Sequence, residues 1–208
     1  MAKQPCAVCG KPLGMWSEKT YTEGKEKVLC KTCTQKANSS FRVFNHTFEE
    51  YNMHLNQMEE SKHIYAALFE TLINQKQVEE GSPYNNKHND ERVKRYGGGS
   101  QCIWAVDDYG LILFQSSQTV KIGEDGDRNL VFRYSELISY RYESDLSDDD
   151  SRIDTLHLTF DSPSLLNEIY TTIYDKNVYN SFDKHFHSIV NGDKTHWDML
   201  ADNALARV

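Results

Sequence analysis

Apolar residues recur along this chain in two rhythms. Through the middle, Phe41, Phe44, Phe48, Tyr51, Leu55, Met58, Tyr65, Phe69 and Leu72 follow one another in alternating steps of three and four, with Lys62 as one charged interruption. That is the a/d spacing of a heptad. Thr47 followed by Glu50 matches a capping box, in which each residue bonds the other's free backbone N–H. The pattern predicts a helix over 47–76 with a break near Ser61. Such a helix packs on its own protein, pairs with a second copy through 41–72, or receives a partner.

Beyond residue 100 the rhythm changes to two. Leu130, Phe132 and Tyr134 alternate with Val131 and Arg133, and the sets Ile138/Tyr140/Tyr142, Leu156/Leu158/Phe160 and Ile169/Thr171/Ile173 behave alike. Period two puts each set on one face of a sheet. Asp107-Asp108-Tyr109-Gly110 reads as a hairpin turn between strands at 101–106 and 111–115, and a further strand is expected at 119–122. Phe182, Phe186, Ile189 and Val190 mark a short amphipathic helix, and Trp197, Leu200 and Leu205 a second one after Gly192. About six strands closed by a helix predict an antiparallel β-sandwich or open barrel.

Four cysteines lie ahead of both regions. Cys6-x2-Cys9 and Cys30-x2-Cys33 are two CxxC pairs separated by twenty residues. Each such turn can aim two thiolates at one point about 2.3 Å from each sulfur, so two turns complete a tetrahedron around Zn2+. A segment of this length is too short to fold by burial alone, and metal binding can supply the missing free energy. Gly10 follows Cys9, where the chain must turn sharply. Four cysteine ligands leave no position for water, so the expected zinc is structural and the metal ligands are Cys6, Cys9, Cys30 and Cys33.

The expected fold class is therefore α+β: a zinc ribbon over 1–36, a helical connector over 37–76, a flexible linker over 77–100 and a β domain with a C-terminal helix over 101–208. The linker reading rests on Gly81-Ser82-Pro83 and Gly97-Gly98-Gly99-Ser100.

Charge separates the two ends. The net charge is −8, yet residues 1–45 hold eight Lys/Arg against three Asp/Glu, whereas residues 101–208 hold nine against nineteen. The basic end suits an anionic partner, and nucleic acid is the rival occupant there, with Trp16 and Tyr21 available to stack. The acidic end repels nucleic acid and anionic lipid. No stretch reaches the roughly 20 apolar residues of a membrane span, and the first residues lack the apolar run of a signal peptide. A cytoplasmic location follows as an expectation, and there clustered thiols are metal ligands rather than disulfides.

Pro5-Cys-Ala-Val-Cys-Gly-Lys-Pro-Leu-Gly14 followed by Lys27-Val-Leu-Cys-Lys-Thr-Cys33 resembles a bacterial and phage domain of unknown function, the DUF4428 zinc-ribbon family. The resemblance spans residues 4–36 and implies zinc binding without known catalysis; residues 21–27 depart from the family's usual segment. The strands of 101–190 are similar in pattern to pleckstrin-homology-like (PH-like) domains.

Other groups carry less. Cys102 stands alone in a predicted strand and reads as a buried, inert thiol. The acidic residues Glu143, Asp145, Asp148, Asp149, Asp150 and Asp154 lack the spacing of a calcium loop and read as a solvated turn. His185 and His187 sit two apart and point away from each other on a helix. No phosphate loop, nucleophile elbow or metalloprotease motif is present. The expectation is a non-enzymatic interaction or adaptor protein with a protein partner.

Overall fold

A computed structural model describes residues 4–38, 40–74, 93–98, 101–116, 129–146, 152–161, 166–173 and 179–208. The N-terminal part consists of two small hairpins. β1 (Gln4–Pro5) pairs with β2 (Pro12–Leu13), and β3 (Lys19–Tyr21) pairs with β4 (Val28–Cys30), both antiparallel. A one-turn helix, α1 (Lys31–Thr34), leaves directly from β4. Val28, Leu29, Leu13 and Ala37 are buried beneath them.

The predicted connector is α2 (Phe48–Asn74), one helix that runs unbroken through Ser61. Its capping box forms as expected: Thr47 N–H donates to Glu50 Oε2 at 2.7 Å, and Glu50 N–H to Thr47 Oγ1 at 3.2 Å. The Thr47 N–H, with the Thr47 hydroxyl and the neighbouring His46, holds the Glu50 carboxyl below its ordinary range. The buried stripe differs from the predicted one in every second position. Tyr51, His54, Met58, Ser61, Tyr65 and Leu68 face inward, whereas Leu55 and Lys62 sit on the flank. The shift explains Lys62: its neighbour Ser61 takes the inner position and accepts Val131 N–H at 3.3 Å. Val131 lies in β8 (Leu130–Arg133), so the helix caps backbone that an edge strand would otherwise leave open. Among the described side chains, the inner stripe of α2 is thus buried against its own chain.

Seven strands follow among the described residues, in two antiparallel sheets. β5 (Val93–Gly98), β6 (Gln101–Val106), β7 (Leu111–Ser116) and β8 lie in that order. β9 (Leu137–Leu146), β10 (Arg152–Phe160) and β11 (Glu168–Ile173) form the second sheet, and neither sheet closes. β5 corrects the linker expectation: Gly97 and Gly98 pair with Cys102 and Gln101, and only part of 77–100 remains, outside the described residues. The strand expected at 119–122 also lies outside them.

The sheets join through Phe132 stacked on Phe160, with ring centroids 4.1 Å apart, and through Thr171 Oγ1 donating to Gln101 O at 2.9 Å. The alternation predicted for 138–142 breaks at one point. The β9–β10 register shifts between Thr159 and Phe160, so Leu137 opposes Phe160. One extra residue reverses the face. Leu137 is buried and Ile138 is 46% exposed. The acidic run is also not wholly a loop. Glu143 stands in β9 beside Arg141, and Asp154 in β10 is buried and accepts Ser144 Oγ at 2.5 Å; 147–151 lie outside the described residues.

Both C-terminal helices appear where predicted, as α3 (Tyr179–Val190) and α4 (Lys194–Leu205). α3 is held by a buried polar chain. Tyr96 Oη bonds His185 Nδ1, His185 Nε2 reaches Asp107 Oδ1 at 2.7 Å, and Tyr134 Oη donates to the same oxygen at 2.7 Å. Tyr96 and Tyr134 are fully buried, and burial with the adjacent Asp107 carboxylate pushes both phenols far above their ordinary range. α4 is anchored by Arg133 to Asp202 at 2.7 Å. At the β6–β7 turn Gly110 has φ +58°, and a Cβ there would meet Trp197 O of α4 at 2.8 Å.

Candidate metal centre

The first cysteine pair is shaped by backbone alone. Cys6 N–H donates to Lys11 O at 2.9 Å and Gly10 N–H to Cys6 O at 2.9 Å, which folds the chain back on itself. Gly10 takes φ +71°, the left-handed conformation that side chains disfavour. The second pair is built differently. Cys30 ends β4 and Cys33 lies on α1, so the strand-to-helix junction turns the second sulfur toward the first. The two halves are stitched by Ala7 N–H to Val28 O at 2.9 Å and Cys30 N–H to Cys6 Sγ at 3.3 Å.

The structure brings together all four predicted ligands. Their sulfurs lie within 4.8 Å of one another, and no other group of three or more metal-binding side chains converges among the described residues. Cys9 Sγ and Cys30 Sγ are 3.8 Å apart. A tetrahedron with metal–sulfur bonds of about 2.3 Å has edges of about 3.8 Å. The donor set therefore fits a tetrahedral thiophilic ion. Cys6, Cys30 and Cys33 are buried, while Cys9 is exposed.

The electrostatics suit a site that could hold a cation. Burial opposes ionisation of Cys6, but N–H groups of Cys9, Cys30 and Val8 outweigh it and bring the thiol down to about 6. Cys33 moves the other way. Burial and the neighbouring sulfurs of Cys30, Cys9 and Cys6 push its thiol far above the ordinary range. Four sulfurs this close cannot all ionise without a positive charge among them. Lys31, next to Cys30 in the chain, is bound instead to Glu18 at 2.7 Å on the surface.

The cysteine cluster rests directly on α2. Tyr51 is fully buried, and its hydroxyl donates to Cys33 O at 2.7 Å. Burial, and next the charge on Cys33, Cys6 and Cys30, pushes the Tyr51 phenol well up. One turn on, His54 Nε2 accepts Asn38 N–H at 3.2 Å, so its proton sits on Nδ1, which has no partner among the described residues. Burial brings His54 down to about 4. Phe41 is stacked between His46 and His54, at 4.1 and 4.2 Å.

At the far tip of the ribbon, Met15 is 78% exposed and Trp16 92%. Their turn is pinned from both sides, with Ser17 N–H to Gly14 O at 3.2 Å and Gly14 N–H to Ser17 Oγ at 3.0 Å. Cys102 is buried in β6, as expected of an inert thiol. His185, set aside on helical spacing, is the residue whose partners the sequence did not show. Its partners Tyr96 and Asp107 lie 89 and 78 residues away, so helical spacing carried no sign of them.

No helix among the described residues is long and apolar enough to cross a membrane. No family model, curated protein or solved structure matches the chain.

Proposed function

We propose that this chain is a cytoplasmic, non-enzymatic interaction protein whose N-terminal ribbon is locked by one structural Zn2+ on Cys6, Cys9, Cys30 and Cys33. The single observation that carries the reading is the convergence of four sulfurs with a 3.8 Å edge between Cys9 and Cys30. Four thiolates saturate tetrahedral zinc, leaving no coordination position for a substrate or a reactive water. The metal's role is then to supply folding free energy to a segment with few buried apolar residues.

The protein partner contacts the Met15–Trp16 tip. A tryptophan and a methionine held out on a hydrogen-bonded turn form a pre-organised apolar anchor, and such residues supply much of the binding energy of interfaces. Nucleic acid is the weaker reading for the same end. Six lysines and three glutamates lie within residues 4–38, and four thiolates bound to Zn2+ add two further negative charges, leaving a net charge of about +1. The order of a four-stranded meander, a three-stranded meander and C-terminal helices supports a PH-like reading of the β domain.

Metal content per chain tests the proposal. Wild-type protein is expected to carry one zinc and Cys30→Ser none, with chelation lowering the melting temperature of the first only. Wild-type chains that hold no zinc after expression with ample supply, and melt alike with and without chelator, overturn it. For the partner, capture from the native host should return a protein that Trp16→Ala loses; no partner above background overturns that half.

A further inference from the structure

We propose that Cys9 is a site of oxidative modification, and that its reaction with a hydroperoxide ejects the metal and frees the ribbon from α2. The inference rests on the zinc reading above. Its basis is asymmetry within the cluster. Cys6, Cys30 and Cys33 are 2%, 6% and 2% exposed, while Cys9 is an exposed residue. Cys6 Sγ is further shielded by the N–H of Cys30 at 3.3 Å. A thiolate, not a thiol, attacks peroxide, and coordination keeps Cys9 ionised while the fold leaves it reachable. The fifth cysteine, Cys102, is 2% exposed and offers no competing site.

The chemistry balances in two steps. The Cys9 thiolate attacks one peroxide oxygen; an S–O bond forms, the O–O bond breaks, and hydroxide or alkoxide leaves. The sulfur is oxidised by two electrons and the peroxide is reduced. The resulting sulfenic acid stands beside Cys30 Sγ, 3.8 Å from the Cys9 sulfur before reaction. The Cys30 thiolate attacks it; an S–S bond forms, the S–O bond breaks, and a second hydroxide leaves. Two of the four ligands are consumed, and Cys6 and Cys33 alone cannot hold the ion tightly.

Two bonds carry the effect to the helix, beside the Glu23 N–H to His46 O bond at 2.8 Å, which does not involve α1. Cys33 O receives the Tyr51 hydroxyl, and Asn38 N–H, just past α1, binds His54. Both depend on the position of α1, which the metal holds through Cys33. Loss of the ion therefore loosens the hold of the body on the Met15–Trp16 tip, which makes partner binding redox-dependent.

The experiment treats the full-length, zinc-loaded chain with limiting hydrogen peroxide, follows zinc with a chromogenic chelator, and maps the cysteines by differential alkylation and mass spectrometry. The expected result is one zinc released per chain oxidised, with Cys9 in a disulfide in the first product and Cys102 still a free thiol. Zinc retained under peroxide, or a first product in which Cys9 is unmodified, overturns the inference. Absence of zinc before peroxide is added overturns the metal reading instead. Cys9→His keeps a fourth ligand without a thiolate, and a zinc-bound variant is expected to resist release. If that variant loses zinc at the wild-type rate, the inference falls; if it binds no zinc, the wild-type map alone decides.

Discussion

Tyr51→Phe isolates one of the bonds that couple ribbon to helix. The ring stays, so no cavity opens in a site that is fully buried. What disappears is the hydroxyl bond to Cys33 O at 2.7 Å. That carbonyl is not orphaned, because Lys36 N–H also donates to it at 3.1 Å. The loss is thus the net value of one buried hydrogen bond, about 1 kcal/mol, rather than the larger penalty for a stranded acceptor. For a chain of this size 1 kcal/mol lowers the melting temperature by about 2–4 °C. The same energy should ease local opening of the ribbon by about fivefold, since 1.4 kcal/mol is a factor of ten. Two measurements on zinc-loaded protein check this: a thermal melt, and the rate at which excess chelator strips the metal. Both should move together. A variant that melts lower yet surrenders zinc at the wild-type rate would refute the coupling of α2 to the cysteine cluster. Tyr51→Ala, which also empties the ring's volume, should cost about 3–5 kcal/mol.

Three other expectations follow from single residues. His54 is buried neutral with a value brought down to about 4, against about 6.5 unfolded, so the unfolded chain binds the extra proton first. Stability from this group is full above pH 6.5 and lost as pH falls toward 4, by about 3 kcal/mol in all; His54→Gln, which can still accept Asn38 N–H, should flatten that part of a melting-versus-pH curve. Gly110→Ala forces a side chain into φ +58° and against Trp197 O at 2.8 Å; the conformation alone costs about 1–2 kcal/mol, readable as a lower denaturation midpoint, and an unchanged midpoint would show that α4 does not sit there. Trp16→Ala, at a side chain 92% exposed, should leave stability within about 0.5 kcal/mol while weakening capture of the partner; a large loss of stability would mean the indole is packed after all.

The cysteine cluster was legible because its information is local. Each CxxC pair specifies its own turn, and Gly10 marks the conformation the first one needs. The same holds for the Thr47–Glu50 cap, the Gly110 turn and the two C-terminal helices, where every signal lies within four residues of its effect. Other features were decided by contacts between distant segments. Whether Ser61 or Lys62 faces inward depends on how α2 lies against β8, and a heptad count cannot supply that angle. Whether Leu137 or Ile138 enters the core depends on one shifted pair between β9 and β10. Gly97 and Gly98 read as linker because glycine is free in isolation, yet pairing with β6 makes them strand. His185 gained its role only when α3 met Tyr96 and Asp107, two side chains from the first sheet and its turn. Spacing along the chain encodes turns and periods; register and buried polar partnership are set when elements pack, and there the close fit of the interior selects one arrangement among those the pattern allows.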